Sequence, residues 1–501
     1  MEIKKLTLNN LGRFESLEVD FAPTEDNQSN VTVFIGNNGA GKTSILDALA
    51  TSLSWFVARL RTEKGSGHAI DELYIIDNAP AASITLQLSD DIQTDSEAAF
   101  LSYQWTLVKA RKGRKSDKSS NLSHLSKLVD NYRQQLTDND SASLPLIAYY
   151  PVERSVLDIP LKIKNKHNFD QIDGYDSALN QGVDFRRFFE WFREREDIEN
   201  EEESKRHKDL LAKERGSIEE IRLDILKAQK NLNESRSKIL SSEASNKVIL
   251  ESKALENLVE GMIAEINLRL DTLVSGAYKV NRDKQLNAVR NAITAFMPDL
   301  SNIRVQRKPR LHMAVEKNGQ SLNVMQLSQG EKSLMALVGD IARRLAMMNP
   351  ELDNPLHGDG IILIDEVDMH LHPSWQRNLV QRFTDTFPKC QIVLSTHSPL
   401  VISDQKDILV YLLNDGEIIA LPPLYGEDVN TVLLEVMDTD IRDHDINEKL
   451  GNLLDAIQDA DIITAKTLLQ TLETELPSGN MELAKARLLL RKKELQLAKN
   501  N

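Results

Sequence analysis

Four short groups of residues, far apart in the chain, carry the types that phosphate chemistry needs. The first is Gly36, Asn37, Asn38, Gly39, Ala40, Gly41, Lys42, Thr43 and Ser44, between the apolar run 31–35 and the helix-forming run 45–49. Strand, glycine loop, Lys-Thr, helix is the order of a phosphate-binding P-loop. Backbone N–H groups can surround a triphosphate only where side chains are absent, and glycine also permits the positive-φ turns that aim them inward. The helix N-terminus adds unpaired donors and partial positive charge. Lys42 supplies a point charge for the outer phosphates, and the Thr43 hydroxyl is placed for Mg²⁺. These residues point to ATP and Mg²⁺ as cofactors.

The second group is Asp365 and Glu366, after the aliphatic run Ile361, Ile362, Leu363 and Ile364. Four consecutive aliphatics mark a central parallel strand. Asp365 at its end can hold Mg²⁺, and Glu366 is next in line to take a proton from the attacking water. The third is Ser328, Gln329, Gly330 and Glu331 at the start of an amphipathic helix. Ser328 with Glu331 three residues later is a capping box. The same helix end can also face an anion. One chain has no need of two phosphate-facing helix ends, whereas two chains packed head to tail would use both. The fourth is Ser395, Thr396, His397 and Ser398, directly after the strand-like run 391–394. A polar residue at that strand end points His397 toward the γ-phosphate.

The elements that must position these groups follow from periodicity. Ile3, Leu6 and Leu8, then Leu17, Val19 and Phe21, alternate as two antiparallel strands leading to the P-loop strand. Arg13 sits on the turn between them, either reaching a nucleotide or simply solvated. Residues 83–107 and 303–324 alternate as strands, and 144–150 reads as a buried strand. Residues 109–128 hold seven Lys or Arg against Asp117 alone and read as one mobile basic loop, solvated or touching nucleic-acid phosphates. From Phe185 the pattern is helical. Leu211, Ile218, Ile225, Leu232 and Ile239 recur every seven residues, as do Val248, Leu255 and Met262, with 241–246 turn-like between the runs. An antiparallel helical hairpin with arms of roughly 45 Å is expected. Three helices, near 446–458, 461–475 and 481–499, form the tail.

The whole chain sets further bounds. Its 501 residues allow several domains. Asp and Glu number 76 against 61 Lys and Arg, and a net charge of −15 argues against a protein that coats nucleic acid indiscriminately. The single cysteine, Cys390, excludes an intrachain disulfide and a multi-cysteine metal site. No signal-peptide or membrane-length apolar stretch is seen, so a soluble, cytoplasmic protein is expected.

P-loop, Ser328 to Glu331, Asp365 with Glu366, and His397, in that order around a helical hairpin, resemble the ATP-binding-cassette ATPases of the SMC/RecF type. The resemblance implies an α/β fold: an ATPase head with a mixed sheet and flanking helices, an inserted helical hairpin and a helical C-terminal tail. Residues 1–184 and 286–428 would be the two lobes of one head, 185–285 the insertion and 429–501 the tail. It implies that two heads sandwich two ATP molecules, with Ser328, Gly330 and Glu331 of one copy closing over the nucleotide of the other. It also implies that Arg13 reaches the nucleotide. Gln329 departs from the glycine many members carry, and the Q-loop glutamine has only the segment after Tyr150 as a candidate region. The run from Asp365 to Pro373, with Leu146 to Arg154, is similar to the anti-phage defence ATPases of the Septu and retron-associated PtuA kind. That similarity implies a sensor or regulator working with a separate HNH nuclease subunit, and in some systems with a reverse transcriptase and its RNA–DNA hybrid. The alternative is a RecF- or SMC-like DNA-repair ATPase acting on ends or gaps.

Overall fold

The computed structural model describes residues 1–94, 97–152, 169–179, 185–241, 282–439, 442–477 and 479–500, with isolated positions between 253 and 268. The central element is a six-stranded sheet in the order β13-β12-β3-β11-β10-β6. Its strands are β3 (Val31–Gly36), β6 (Leu146–Tyr150), β10 (Gly360–Ile364), β11 (Cys390–Ser395), β12 (Leu409–Asn414) and β13 (Glu417–Ala420). The five from β12 to β6 are parallel, and β13 returns antiparallel at the edge. Every residue of β3, β6, β10 and β11 is buried, as mainly apolar strands covered on both faces should be. The sheet interleaves strands from the two ends of the chain, so neither end completes it alone.

A second sheet, in the order β2-β1-β4-β5, is antiparallel: β1 (Glu2–Leu11), β2 (Phe14–Asp20), β4 (Ala81–Thr94) and β5 (Glu97–Ala110). The buried Gln391 amide ties it to the first. Its oxygen accepts from the Ile3 N–H at 2.7 Å, and its nitrogen donates to the Ile3 and Ala22 carbonyls. A third, smaller sheet comprises β7 (Leu300–Gln306), β8 (His312–Lys317) and β9 (Gln320–Asn323). The P-loop helix, Lys42–Arg61, packs across β3, β11, β10 and β6. The helix that follows Ser328, Gln329–Met348, buries nearly its whole length and lies against β6.

The expectation of one continuous basic loop over 109–128 is corrected. β5 runs to Ala110, a helix begins at Ser123, and Asn121 pairs with Thr106. Arg111 is tied to the carbonyls of Ile75, Ile76 and Ala79, to which its guanidinium donates. Lys112, Arg114, Lys115 and Lys118 remain exposed. The long helix Phe185–Ser241 has 57 residues. Its first turns bury Phe185, Phe188, Phe189, Trp191 and Phe192 in the main core. The expected turn at 241–246 and most of the second arm lie outside the described residues, apart from Ser241. The tail forms the three expected helices, His444–Gln458, Ile462–Glu475 and Met481–Asn500. Their apolar residues make a cluster of their own around Leu450, Leu453, Leu472 and Leu490.

Candidate nucleotide site

The phosphate-chemistry residues meet at the C-terminal ends of β3, β10 and β11. Parallel register brings this about: Ile364 pairs with Leu394 and Ser395 with Phe34. The first, second and fourth groups therefore emerge side by side. In the P-loop, Gly36, Gly39 and Gly41 all take positive φ. A side chain at Gly36 would meet the Leu413 carbonyl, and one at Gly41 would meet the Phe14 ring. The loop thus presents bare backbone. Lys42 donates to the carbonyls of Gly36 at 2.8 Å and Asn37 at 3.2 Å, which holds its ammonium along the loop. Burial draws the Lys42 pKa down, opposed by Asp365, Glu366 and Asp368.

Thr43 Oγ1 donates to Asp365 Oδ2 at 2.7 Å, although 322 residues separate them. Asp365 is fully buried, and Ser395 Oγ donates to its other oxygen. The same Ser395 oxygen accepts from the Glu366 N–H at 2.8 Å. Ser395 therefore fixes the carboxylate and the residue after it. Glu366 has φ 44°, the left-handed region that a non-glycine residue adopts only under strain. His397 Nε2 lies 3.9 Å from Glu366 Oε1. Burial lowers the His397 pKa, helped by Lys42 and opposed by the carboxylates, which favours the neutral imidazole. Asp368 accepts from Thr396 Oγ1 and from the His397 N–H, locking the His397 turn.

The donor set fits its expected ligands. A hydroxyl and a buried carboxylate in contact are hard oxygen ligands of the kind Mg²⁺ takes together with phosphate oxygens. Arg13 is exposed, and a Cβ placed on Gly39 would lie 3.2 Å from its guanidinium. A cavity of about 650 Å³ opens beside the P-loop helix, lined by Gly12, Ser44, Asp47, His68, Tyr74 and Tyr149 among others. A larger hollow of about 860 Å³ opens at the opposite strand ends, around Asn30, Cys390 and Asp407, and none of the four groups lines it.

The third group behaves as a cap. Ser328 is the N-cap of Gln329–Met348, accepting from the Glu331 N–H, while Glu331 accepts from the Ser328 N–H at 2.8 Å. Glu331 is buried and paired with Lys317, so its carboxylate is engaged within this chain. Ser328 and Gln329 stay exposed. A side chain at Gly330 would strike the His370 carbonyl.

Sequence reasoning underrated four residues. Ser395 enters only as a member of the fourth group beside His397, and Asp368 only within the run from Asp365 to Pro373. The Asp47–Tyr149 pair, with Tyr149 Oη donating at 2.8 Å, gave no local signal across 102 positions. His372 caps a short helix and bonds Ser374, and among the described residues no group of three or more His, Cys, Asp or Glu is placed to hold a metal. Residues 153–168, which include most of the candidate Q-loop segment, lie outside the described residues. Among the described residues, no helix is long and apolar enough to cross a membrane.

A glycine loop after β3, a buried carboxylate at the end of β10 in the same sheet and flanking helices make up an ATPase-head fold. Residues 1–402 match the AAA ATPase domain family AAA_15, and the chain belongs to that family. Among curated proteins, the Retron Ec83 probable ATPase of Escherichia coli is 34% identical over 441 residues, covering 87% of this chain and 76% of that protein. The Septu protein PtuA of Bacillus mycoides (strain KBAB4) is 31% identical over 164 residues, 32% of this chain and 21% of that one. Both agree with the resemblance drawn from the motifs. Among solved structures, the Smc head domain with an extended coiled coil from Pyrococcus furiosus aligns at 15% identity and a TM-score of 0.40, over 87% of this chain and 99% of that chain.

Proposed function

We propose that this chain is the ATP-binding and ATP-hydrolysing subunit of an anti-phage defence complex, acting as a dimer of heads that senses or regulates, with nuclease chemistry on a separate HNH subunit. The observation that carries the ATPase reading is the Thr43–Asp365 contact at 2.7 Å beside a glycine loop in positive φ. The names of the relatives, a retron ATPase and a Septu protein, support the defence setting. In a retron-linked complex a reverse transcriptase and its RNA–DNA hybrid would be further partners.

The residues divide the work as follows. The N–H groups from Asn37 to Ser44, with Lys42, bind the phosphates. Thr43 and Asp365 would hold Mg²⁺, which when bound draws charge from the phosphate oxygens. Glu366 takes the proton of the attacking water. Neutral His397 can donate a hydrogen bond to the γ-phosphate while keeping Glu366 in reach. Arg13, from beside Gly39, adds charge at the nucleotide. Ser328, Gly330 and Glu331 of a second head would close the site, with Glu331 acting through the cap that it shares with Ser328. Lobes 1–184 and 286–428 then work as one body, with insertion 185–285 and tail 429–501 passing the state of the head to partners.

Lys42→Ala should abolish ATP turnover by the purified chain. Glu366→Gln should trap an ATP-bound dimer and slow turnover. An unchanged rate with unchanged solution mass counts against both the base and the sandwich. Incubation with DNA or RNA and Mg²⁺ should leave the nucleic acid intact; strong cleavage that survives Lys42→Ala overturns the division of labour. A second reading, a RecF- or SMC-like DNA-repair ATPase, is favoured by the exposed Lys112, Arg114, Lys115 and Lys118. It requires DNA binding that weakens steeply with salt and disappears when those four are neutralised.

A further inference from the structure

A buried ionic cluster lies behind the nucleotide site and takes no part in the chemistry above. Asp340, on the helix capped by Ser328, is fully buried, and Arg343, Arg344 and Tyr150 around it are nearly so. Arg343 donates to Asp340 Oδ1 at 2.7 Å, while Arg344 and Tyr150 Oη donate to Oδ2 at 2.7 and 3.0 Å. Arg344 also donates to the carbonyls of Gly174 and Asp176. The carboxylate of Asp176 receives Arg61 from the end of the P-loop helix and Arg187 from the first turn of the long helix. Tyr150 has a second tie: its carbonyl accepts the Asp365 N–H at 2.9 Å.

Stability alone does not call for such a cluster. Burying ions carries a desolvation penalty, and apolar residues of similar volume are often as stable or more so. What the cluster supplies is register. Between Lys317 on Glu331 at its start and the Met348 carbonyl that accepts from Leu144 and Gln171 at its end, the Gln329–Met348 helix otherwise rests mainly on apolar side chains, among them Leu334, Met335, Val338, Ile341 and Leu345. A slip of three or four residues would set similar apolar surface against the same bed. Only one height and rotation satisfies both oxygens of Asp340.

We propose that Asp340 and Tyr150 are positioning residues for ATP hydrolysis, fixing the height of the Ser328 cap relative to the Asp365 carboxylate. The cap offered to a second head and the carboxylate of the first then keep one geometry, through the path Ser328 helix, Asp340, Tyr150, Asp365. This rests on the ATPase reading above.

Full-length chain carrying Tyr150→Phe tests it, since that change removes one hydroxyl and leaves Asp340 paired with both arginines. The expected result is a fall in kcat of about tenfold with KM for ATP within about twofold, measured where the variant is fully folded, and beyond what any drop in the urea midpoint accounts for. In a Glu366→Gln background the ATP-bound dimer should no longer accumulate. The triple change Asp340→Leu, Arg343→Met, Arg344→Met should melt no lower than wild type and show the same loss of kcat. Wild-type kcat in folded Tyr150→Phe overturns the positioning role, as does a loss that merely tracks a lowered midpoint. Wild-type turnover that survives Lys42→Ala overturns the ATPase reading instead, so the two failures are distinguishable.

Discussion

Ser395 shows what a single oxygen can organise. It holds Asp365 and the strained Glu366 backbone at once. Ser395→Ala should cost about 1–3 kcal/mol of stability, because buried groups lose a partner, and should slow turnover while ATP still binds; urea unfolding and nucleotide titration check both. Two titrating groups act with the same sign, in different pH windows. The His397 pKa is lowered, so the unfolded chain takes up the proton first. Its contribution is intact above the ordinary histidine range, near 6.5, and declines as pH falls below it. Asp340 is pushed up by burial yet held down to about 2 by Arg344 and Arg343. Its contribution is present at neutral pH and is lost as pH falls from the ordinary carboxylate range toward 2. Asp340→Asn should therefore unfold more easily at pH 7, and its stability should depend less on pH between about 4 and 2. Lys42, Thr43, Asp365 and His397 were legible in the sequence because the chemistry sits in short local patterns. Tyr150 with Asp340 was not, because the two meet across 190 positions and neither has a distinctive neighbour.

Glycines separate the roles of the helices. Gly330 is pressed against the His370 carbonyl, with only 2.3 Å for a Cβ. Gly330→Ala should cost about 1–3 kcal/mol through overpacking and displace the Ser328 cap. Gly451, inside the tail helix His444–Gln458, has nothing within 4 Å. Gly451→Ala should stabilise that helix by up to about 1 kcal/mol; thermal melts of the two variants should move in opposite directions. The sequence marked Ser328 as a cap and left open whether it also faced phosphate, because both uses need the same residue types. It read 109–128 as loop from charge alone. Charge could not reveal that Arg111 has three carbonyl partners, which belong to a segment more than thirty residues earlier. The aromatic residues Phe185, Phe188, Phe189 and Phe192 follow helical spacing, but the sequence did not show that this first stretch roots the long helix in the main core.

At the scale of the whole molecule, the tail and the head keep separate apolar clusters. Deleting residues 443–501 should leave the melting temperature of the head and its ATP turnover near the full-length values; a large loss of either shows that the tail supports the head. The parallel arrangement around the P-loop strand was foreseen only in part. Apolar runs announce buried strands, while their order in the sheet depends on pairings between distant segments. That order has a consequence for the protein as it is made. β3 ends at Gly36, yet both strands that flank it, β11 and β12, begin only at Cys390 and Leu409. During synthesis the phosphate loop leaves the ribosome with no neighbours to pair with. A loop that takes its shape from those strands can grip a nucleotide only once most of the chain has been translated.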